Sequence, residues 1–339
     1  MFSGNSIKGF FKHKITLLAL KLLIPLAIVI YLLLKLDLHE TKSILLKTNL
    51  WIFTVSFFLL CLRNLIGAYR SKILLAYKKL SYPLGVLTKY YFVGNFVNFF
   101  LPEIVGRDIA RGFYLYNSSE RKKEAISSIV VERFMGTAAL MLLSLFSVGL
   151  AVITGVEVIQ NRVIQVIVGA FGLCCIVMIL FFYEKTDRFL ERLIPSAVTG
   201  SVKTAVEFIR DVITYNKAPS VLCYTFGISL VFQFIGVIAT YLVALSLGST
   251  VSFIYFLILL PVIWVAGMMP VSINGIGVRE GAFVFLFSTT GMAAEMALAI
   301  SLLWLVQNIG LGVMGGIVLL FKGNGISRIR NNRITPEDR

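Results

Sequence analysis

Long apolar segments are the feature that most limits how this chain can fold. Seven stretches of the sequence come close to the roughly 20 apolar residues that a helix needs to cross a bilayer. The composition agrees, because 58% of the 339 residues are hydrophobic and only 14% are charged. We therefore predict an all-α polytopic membrane protein. The seven segments are 15–34, 50–69, 128–153, 163–183, 220–246, 252–269 and 293–320.

The basic residues lie at the ends of these segments and in the connections between them. A formal net charge of +15 distributed in this way is typical of cytoplasmic loops in membrane proteins, so nucleic acid is not an expected partner. This distribution predicts that four parts of the chain lie in the cytoplasm: the N-terminus, the connections 70–124 and 184–219, and the tail 321–339. We expect the protein in the inner (cytoplasmic) membrane of the cell. Lys42 and Lys47, in the first outer loop, are exceptions to this pattern.

The number of segments conflicts with this topology. Two cytoplasmic termini require an even number of crossings, and we expect the missing one in 270–292, which gives about eight transmembrane helices. Segment 92–101 is apolar, too short to cross and flanked by basic residues, so we predict a re-entrant segment. The chain 1–339 is expected to be a single integral membrane domain with its membrane core at 15–320. Apolar residues at helical spacing in 184–219 predict a helix on the inner surface.

Two segments interrupt apolar chain with proline, glycine and charge. They read LPEIVGRDIARGF at 101–113 and MPVSINGIGVREGAF at 269–283. Each contains Pro, then Gly, then Arg followed by a carboxylate, and they lie in different halves of the chain. Broken helices at matching places in two inverted pseudo-repeats are typical of transporters that bind substrate where the repeats meet. The expected hinge residues are Pro102, Gly106, Pro270, Gly275 and Gly277.

The helix that restarts after each glycine would present unpaired backbone N–H groups and an arginine side chain. This combination suits a phosphate or phosphodiester, and we expect Arg107 and Arg279 to line one central cavity. A structural interpretation stays open beside it, in which Arg107 pairs with Glu280, and Arg279 with Asp108, to clamp the two halves. The two interpretations are compatible if a phosphate competes for the arginines.

Other polar residues in apolar chain are candidates for the same site. Arg63 either faces the cavity or extends toward the membrane surface, and Glu132 with Arg133 forms either an interfacial pair or part of the site. Arg111 follows Arg107 by one helical turn and would extend its basic face. The complete set of substrate-binding candidates is Arg63, Asn98, Arg107, Asp108, Arg111, Glu132, Arg133, Ser272, Asn274, Arg279 and Glu280.

Cysteine and histidine give no indication of a metal site. The four cysteines lie in apolar segments and the two histidines flank the first one, without an acidic cluster beside them. We therefore expect no metal, no cofactor and no catalytic residue. The ATP-binding pattern GxxxxGK[ST] has no match in the sequence, so transport would not be driven by ATP hydrolysis in this chain.

The segments GIGVREG, LPEIVGRDIARGF and VVERF resemble the lysylphosphatidylglycerol synthase transmembrane family, over roughly residues 15–320. The resemblance implies a flippase-like domain for lipids such as aminoacylated phospholipids or polyprenyl-linked glycolipids. It also implies a stand-alone member, without the soluble aminoacyl-transferase domain of two-part members. Asp108 stands where the family more often has Glu. The positions that match the family pattern are Pro102, Gly106, Arg107, Glu132, Arg133, Pro270, Gly275, Gly277, Arg279 and Glu280.

The leading functional hypothesis is a flippase that moves an anionic or phosphate-linked lipid, either a phospholipid or a polyprenyl-phosphate-linked glycolipid, between leaflets. One alternative is a membrane-embedded glycosyl or phosphoryl transferase that uses a polyprenyl phosphate, although the sequence contains no D-x-D motif. Another is a non-transporting partner of a separate lipid synthase. The expected partners are thus membrane lipids, with a lipid-modifying enzyme as a further candidate.

Overall fold

The computed structural model describes residues 30–31, 34–100, 106–153, 208–267 and 277–321, together with 169, 172, 173 and 176. The predicted spans at 15–34 and 163–183 lie almost wholly outside these ranges, and so does the basic tail. Of the predicted site and hinge residues, those outside the described residues are Pro102, Pro270, Ser272, Asn274 and Gly275.

The regular elements of the described ranges are all helical, which confirms the predicted fold class. Within the described ranges, four helices are long and apolar enough to cross a membrane; they lie in Leu50–Tyr77, Lys122–Leu150, Pro219–Ser246 and Ala294–Phe321. A short 3-10 helix, Thr214–Lys217, precedes α6. The α-helices are α1 Leu38–Leu46, α2 Leu50–Tyr77, α3 Leu84–Asn98, α4 Gly106–Ser118, α5 Lys122–Ile153, α6 Pro219–Ser246, α7 Phe253–Gly267, α8 Val278–Ser288 and α9 Ala294–Phe321.

Local sequence explains where several helices begin. The side chain of Asp37 accepts hydrogen bonds from two backbone N–H groups at the start of α1, and Asn49 does the same for α2. Pro219 occupies the first turn of α6, where its missing N–H costs no helical hydrogen bond. These caps satisfy backbone donors that would otherwise be unpaired at the helix ends.

Helices α2 and α6 pack antiparallel at the centre of the protein. The N–H of Asn49, just before α2, donates to the carbonyl of Ser246 at the end of α6 at 2.7 Å. Near the other end of α2, Arg70 Nη1 donates to the hydroxyl of Ser229 at 2.8 Å. The C-terminal end of α2 therefore lies beside the first half of α6.

Helices α3 and α4 form an antiparallel hairpin. The hydroxyls of Tyr82 and Ser118 lie 3.1 Å apart, and the rings of Tyr90 and Tyr114 stack at 5.1 Å between centroids. Because α3 has 15 residues, it extends about 22 Å, less than the roughly 30 Å of a bilayer core. This hairpin has the form predicted for the re-entrant segment at 92–101, although its first helix already begins at Leu84.

Helices α7 and α8 form a second hairpin in the region of the predicted span at 252–269. The described part of α7 has 15 residues, about 22 Å of helix, and α8 at the predicted missing crossing has 11 residues. The ring of Phe256 near the start of α7 lies 4.6 Å from that of Phe287 near the end of α8, which makes the pair antiparallel. Phe256 and Leu260 are fully buried, so the apolar residues of α7 pack against other helices of the protein.

The two halves of the described chain repeat one order of helices. A long helix, two short helices and a second long helix occur first as α2 to α5 and again as α6 to α9. Because α2 and α6 are antiparallel, and each hairpin follows the C-terminal end of its long helix, the two hairpins enter from opposite ends of the protein. This arrangement is the inverted repeat that the two broken segments predict.

Small residues allow the first hairpin to approach α9 closely. A Cβ atom on Gly315 would lie 1.9 Å from the carbonyl oxygen of Phe92 in α3, and one on Gly312 would lie 2.3 Å from the ring of Phe99. Glycine at such contacts lets membrane helices pack backbone against side chain. The packing fixes α3 against the second half of the chain.

Candidate functional site

A cavity of about 160 Å³ lies at the centre of the protein, where both hairpins contribute to its wall. Asn95 and Arg107 line it from either side of the first hairpin's tip, and Trp264 lines it from near the tip of the second. Its described lining holds five arginines and two carboxylates, which leaves three positive charges in excess. These charged residues are Arg63, Arg70, Arg107, Arg111, Arg133, Asp108 and Glu132.

Glu132 is the centre of a buried ionic network. Arg70 Nη2 and Arg111 Nη1 each donate to Oε1 of Glu132 at 2.8 Å. The hydroxyls of Ser71 and Tyr91 donate to the same carboxylate. A buried charge is tolerated only when it is paired and hydrogen-bonded, and this carboxylate thereby joins α2, α3, α4 and α5.

Asp108 extends the network toward a more accessible side of the cavity. Its Oδ1 accepts from Arg111 Nη2 at 2.6 Å and its Oδ2 from Arg133 Nη1 at 2.9 Å. The side chains of Asp108 and Arg133 are 19% and 37% exposed, against 3% for Glu132. The network is therefore buried around Glu132 and accessible to a bound group at Arg133.

Arg63 faces the interior of the protein. Its Nε donates to the carbonyl of Phe232 at 3.1 Å and its Nη2 to Oε1 of Gln233 at 3.2 Å. Its guanidinium carbon lies 4.1 Å from the centre of the Phe232 ring and 5.4 Å from that of Trp264. Of the two interpretations of Arg63, the structure places the side chain at the cavity and not at the membrane surface.

The arginine and carboxylate of the second hairpin pair with each other. Arg279 Nη2 donates to Oε1 of Glu280 at 2.6 Å, and Oε2 of Glu280 accepts from the N–H of Gly277 at 2.6 Å. The guanidinium of Arg279 lies 4.2 Å from the ring centre of Trp304. Arg279 is buried and is not among the described residues that line the cavity, since Trp304 stands at the wall with Arg279 against it.

The carboxylates of the two broken segments, Asp108 and Glu280, each pair with arginine from their own half of the chain. Asp108 has Arg111 and Arg133, and Glu280 has Arg279. These pairs differ from those of the clamp between halves that the sequence left open. The structure thus brings the described candidates of the first broken segment into contact with Glu132 and Arg133 of α5. The described candidates of the second broken segment, Arg279 and Glu280, pair with each other at the start of α8.

The remaining described candidates lie at the ends of the hairpin helices. Gly106 is the first residue of α4 and is buried, and Asn98 is buried at the end of α3. Gly277, whose φ is +85°, precedes α8. Only glycine adopts such a backbone conformation without steric cost, which accounts for its place at this helix start.

Sequence reasoning missed Arg70, Ser71 and Tyr91. Arg70 was assigned to the cytoplasmic connection because apolar residues end at position 69, whereas α2 continues to Tyr77. The spacing of seven between Arg63 and Arg70 puts both on one face of a helix, and that signal would have placed Arg70 beside Arg63. Trp264 and Trp304 gave no comparable signal, because tryptophan is ordinary in membrane helices.

Together, fold and site define a polytopic helical membrane protein that encloses an arginine-rich cavity between two inverted hairpins. The chain matches the model of the lysylphosphatidylglycerol synthase transmembrane region over residues 18–316 and belongs to that family. It is also 25% identical over 325 residues to a UPF0104 membrane protein of Methanocaldococcus jannaschii, covering 91% of this chain and 96% of that relative. No solved structure matches the chain.

Proposed function

We propose that this protein is a lipid flippase that binds the phosphate of an anionic or phosphate-linked lipid in the central cavity. The observation that carries the proposal is the cluster of five arginines among the described lining residues, one of which, Arg133, has a side chain that is 37% exposed. Arginines gathered inside a membrane protein repel one another and are costly there. An anionic group bound between them would offset that cost.

The accessible side of the network gives a phosphate a place to bind. Arg133 has one described partner, Asp108, at 2.9 Å, and its side chain is more than a third exposed. A phosphate oxygen would replace Asp108 as its acceptor, and the planar guanidinium can bind two oxygens at once. A cavity of about 160 Å³ has room for a phosphate headgroup, so the acyl or prenyl chains would stay in the bilayer.

Translocation would follow from the inverted repeat. Rocking of one half against the other around a fixed central site is the usual means by which such repeats expose the site to each side in turn. We place both termini in the cytoplasm and the protein in the inner membrane, on the distribution of basic residues.

The proposal assigns no catalytic residue. Both carboxylates of the described lining, Asp108 and Glu132, are held by arginines. Since a general base needs a carboxylate that can accept the substrate's proton, this pairing favours a transporter over a transferase.

The test is a dithionite-quenching assay on proteoliposomes that contain the full-length protein and phosphatidylglycerol with a fluorescent acyl chain. We expect faster loss of inner-leaflet fluorescence than in protein-free vesicles. Arg133→Gln should slow translocation roughly 10- to 150-fold, the equivalent of a charge-assisted hydrogen bond. Arg121→Gln, which removes an arginine paired with Glu124 outside the cavity, should leave the rate unchanged. A wild-type rate no faster than that of empty vesicles would contradict the proposal.

A further inference from the structure

The second helix of the first hairpin has an exposed apolar face. Ile109, Phe113 and Tyr116 of α4 are all exposed, and their spacing of four and then three residues puts them on one side of the helix. Ala110 and Leu115 lie on the other side and are buried against the rest of the protein. We call Ile109, Phe113 and Tyr116 the α4 stripe.

A cation lies at each end of the α4 stripe. At one end, the Nζ atom of Lys122, an exposed residue at the start of α5, lies 4.5 Å from the centre of the Tyr116 ring. At the other end, next to Ile109 in the chain, Asp108 accepts a hydrogen bond from Arg133 Nη1 at 2.9 Å. Arg133 lines the cavity, so the stripe runs from a surface lysine to the accessible arginine of the site.

The separation of these two cations matches the depth of one leaflet. Lys122 is the first residue of α5 and Arg133 the twelfth, so they lie about 16 Å apart along the helix axis. Half of a hydrocarbon core of roughly 30 Å is about 15 Å. With Lys122 at the level of the headgroups, Arg133 lies near the middle of the bilayer and the α4 stripe lies beside the acyl chains.

These features suit an anionic phospholipid. A lysine at the membrane surface attracts anionic headgroups, and the ring of Tyr116 has the apolar body and polar tip that favour the interface between lipid and water. The side chains of Ile109 and Phe113 offer apolar surface to acyl chains at the depth where those chains lie.

The second hairpin repeats the apolar residue without the cation. Phe285 is the eighth residue of α8, as Phe113 is of α4, and the two are 71% and 63% exposed. Between the helices of the first repeat, segment 117–123 has three basic residues and one acidic residue. The matching segment 288–296 of the second repeat has Glu295 and neither lysine nor arginine. The two hairpins thus differ in charge where each meets the membrane surface.

We propose that Lys122 and the α4 stripe form a second lipid site, outside the cavity, which binds an anionic phospholipid and from which the cavity is loaded. The phosphate lies at Lys122 and the acyl chains lie on the stripe. The loading role rests on the proposed flippase function and specifies the leaflet from which the substrate enters. By the distribution of basic residues this is the cytoplasmic leaflet. The matching face of the second hairpin, in the opposite leaflet, does not attract an anionic lipid in the same way.

Photo-cross-linking tests the site. Benzoyl-phenylalanine takes the place of Phe113 in the full-length protein, which is irradiated in vesicles of phosphatidylglycerol and phosphatidylcholine, and mass spectrometry gives the share of each lipid among the adducts. We expect phosphatidylglycerol to be enriched about three- to fivefold over its share of the vesicle, the effect of one lysine near a membrane surface. The same replacement of Phe285 is the matched control, and its adducts should follow the composition of the vesicle.

Two outcomes of the cross-linking would overturn the site. The first is an equal share of phosphatidylglycerol at the two positions. The second is cross-linking of position 113 to another segment of the chain or to a second copy, because protein would then cover the stripe. Lys122→Gln should abolish the enrichment at position 113, while Lys217→Gln, which removes another exposed lysine, should preserve it. Enrichment that survives Lys122→Gln would contradict the role of Lys122.

The dithionite assay tests the loading role separately. Lys122→Gln should slow translocation of phosphatidylglycerol about threefold when this lipid is scarce in the vesicle, and the deficit should shrink as its content rises, because a docking site changes occupancy and not the transport step. A deficit that does not shrink, or no deficit when the lipid is scarce, would overturn the loading role and leave the flippase function standing. Absence of translocation by the wild type would overturn both, while the cross-linking still decides whether the site binds an anionic lipid.

Discussion

The second helix of each hairpin has an arginine followed by a carboxylate at the same two positions, but the two pairs make different contacts. Arg107 and Asp108 are the second and third residues of α4, as Arg279 and Glu280 are of α8. In the first hairpin the carboxylate is 19% exposed and shares arginines with α5. In the second the carboxylate binds the neighbouring arginine and the backbone N–H of Gly277. The motif alone therefore does not determine its role.

The two repeats differ at a later position of α4 and α8 and at one position of the long helices that follow, α5 and α9. The sixth residue is Arg111 in α4 and Phe283 in α8, and the eleventh residue is Glu132 in α5 and Trp304 in α9. In the first repeat Arg111 pairs with Glu132. The matching positions of the second repeat hold the aromatic residues Phe283 and Trp304. Burial is similar in both, but among the described residues the charges that line the cavity all belong to the first repeat. A pseudo-symmetric fold can in this way hold a site that is asymmetric in charge.

The largest effect should come from breaking the ionic centre of the first repeat. Glu132→Gln leaves Arg70 and Arg111 buried without their shared carboxylate, which should cost roughly 3–5 kcal/mol of unfolding free energy. Unfolding of the purified protein by SDS measures this. Glu124→Gln is the control in the same helix, since the pair with Arg121 is partly exposed and should contribute less than about 1 kcal/mol. Equal stability of the two variants would contradict the central role of Glu132.

A smaller effect should follow from separating the first hairpin from α9. Gly315→Ala would place a methyl group 1.9 Å from the carbonyl oxygen of Phe92, and the resulting overpacking should cost about 1–3 kcal/mol. Gly227→Ala is the control, because its Cβ would meet no atom within 4 Å. Equal melting temperatures for the two variants would mean that α3 and α9 are not in close contact.

The smallest stability effect concerns the start of α8. Gly277 has a φ of +85°, and Gly277→Ala should cost about 1–2 kcal/mol, because L-residues are disfavoured there. Since Gly277 is not among the described residues that line the cavity, the translocation rate per folded protein should not change. Gly85→Ala in the first hairpin, where the new Cβ meets no atom within 4 Å, is the matched control. A lower translocation rate per folded protein in Gly277→Ala would extend the site to the start of α8.

Much of the fold follows from the sequence because apolar length and charge report directly on a membrane environment. The predicted spans at 50–69, 128–153, 220–246 and 293–320 all correspond to long helices. The span at 252–269 corresponds to α7 over Phe253–Gly267, and hydropathy alone did not show that several of its residues are buried in protein and not in lipid. The repeat itself was visible in the two Pro/Gly-broken segments.

The sequence predicted which charged residues lie at the site better than it predicted which of them form ion pairs. Charges in apolar chain indicated Arg107, Asp108, Glu132 and Arg133, and the structure places all four at the cavity. Their partners depend on which helix faces meet, and spacing within one helix does not determine that. Arg279 illustrates the limit, because its sequence context resembles that of Arg107, yet it packs against Trp304 and is not among the described residues that line the cavity.

The central claim is that Arg133 of the first repeat binds the lipid phosphate, whereas Arg279 of the second repeat serves mainly to hold Glu280. The most direct test measures the translocation rate of phosphatidylglycerol per folded protein for Arg133→Lys and Arg279→Lys side by side. Lysine keeps the charge but loses the planar fork. We predict that Arg133→Lys loses at least about tenfold in rate at an unchanged melting temperature, while Arg279→Lys, whose ammonium can still pair with Glu280, stays within about threefold of wild type. A normal rate for Arg133→Lys together with a tenfold loss for Arg279→Lys would contradict the account.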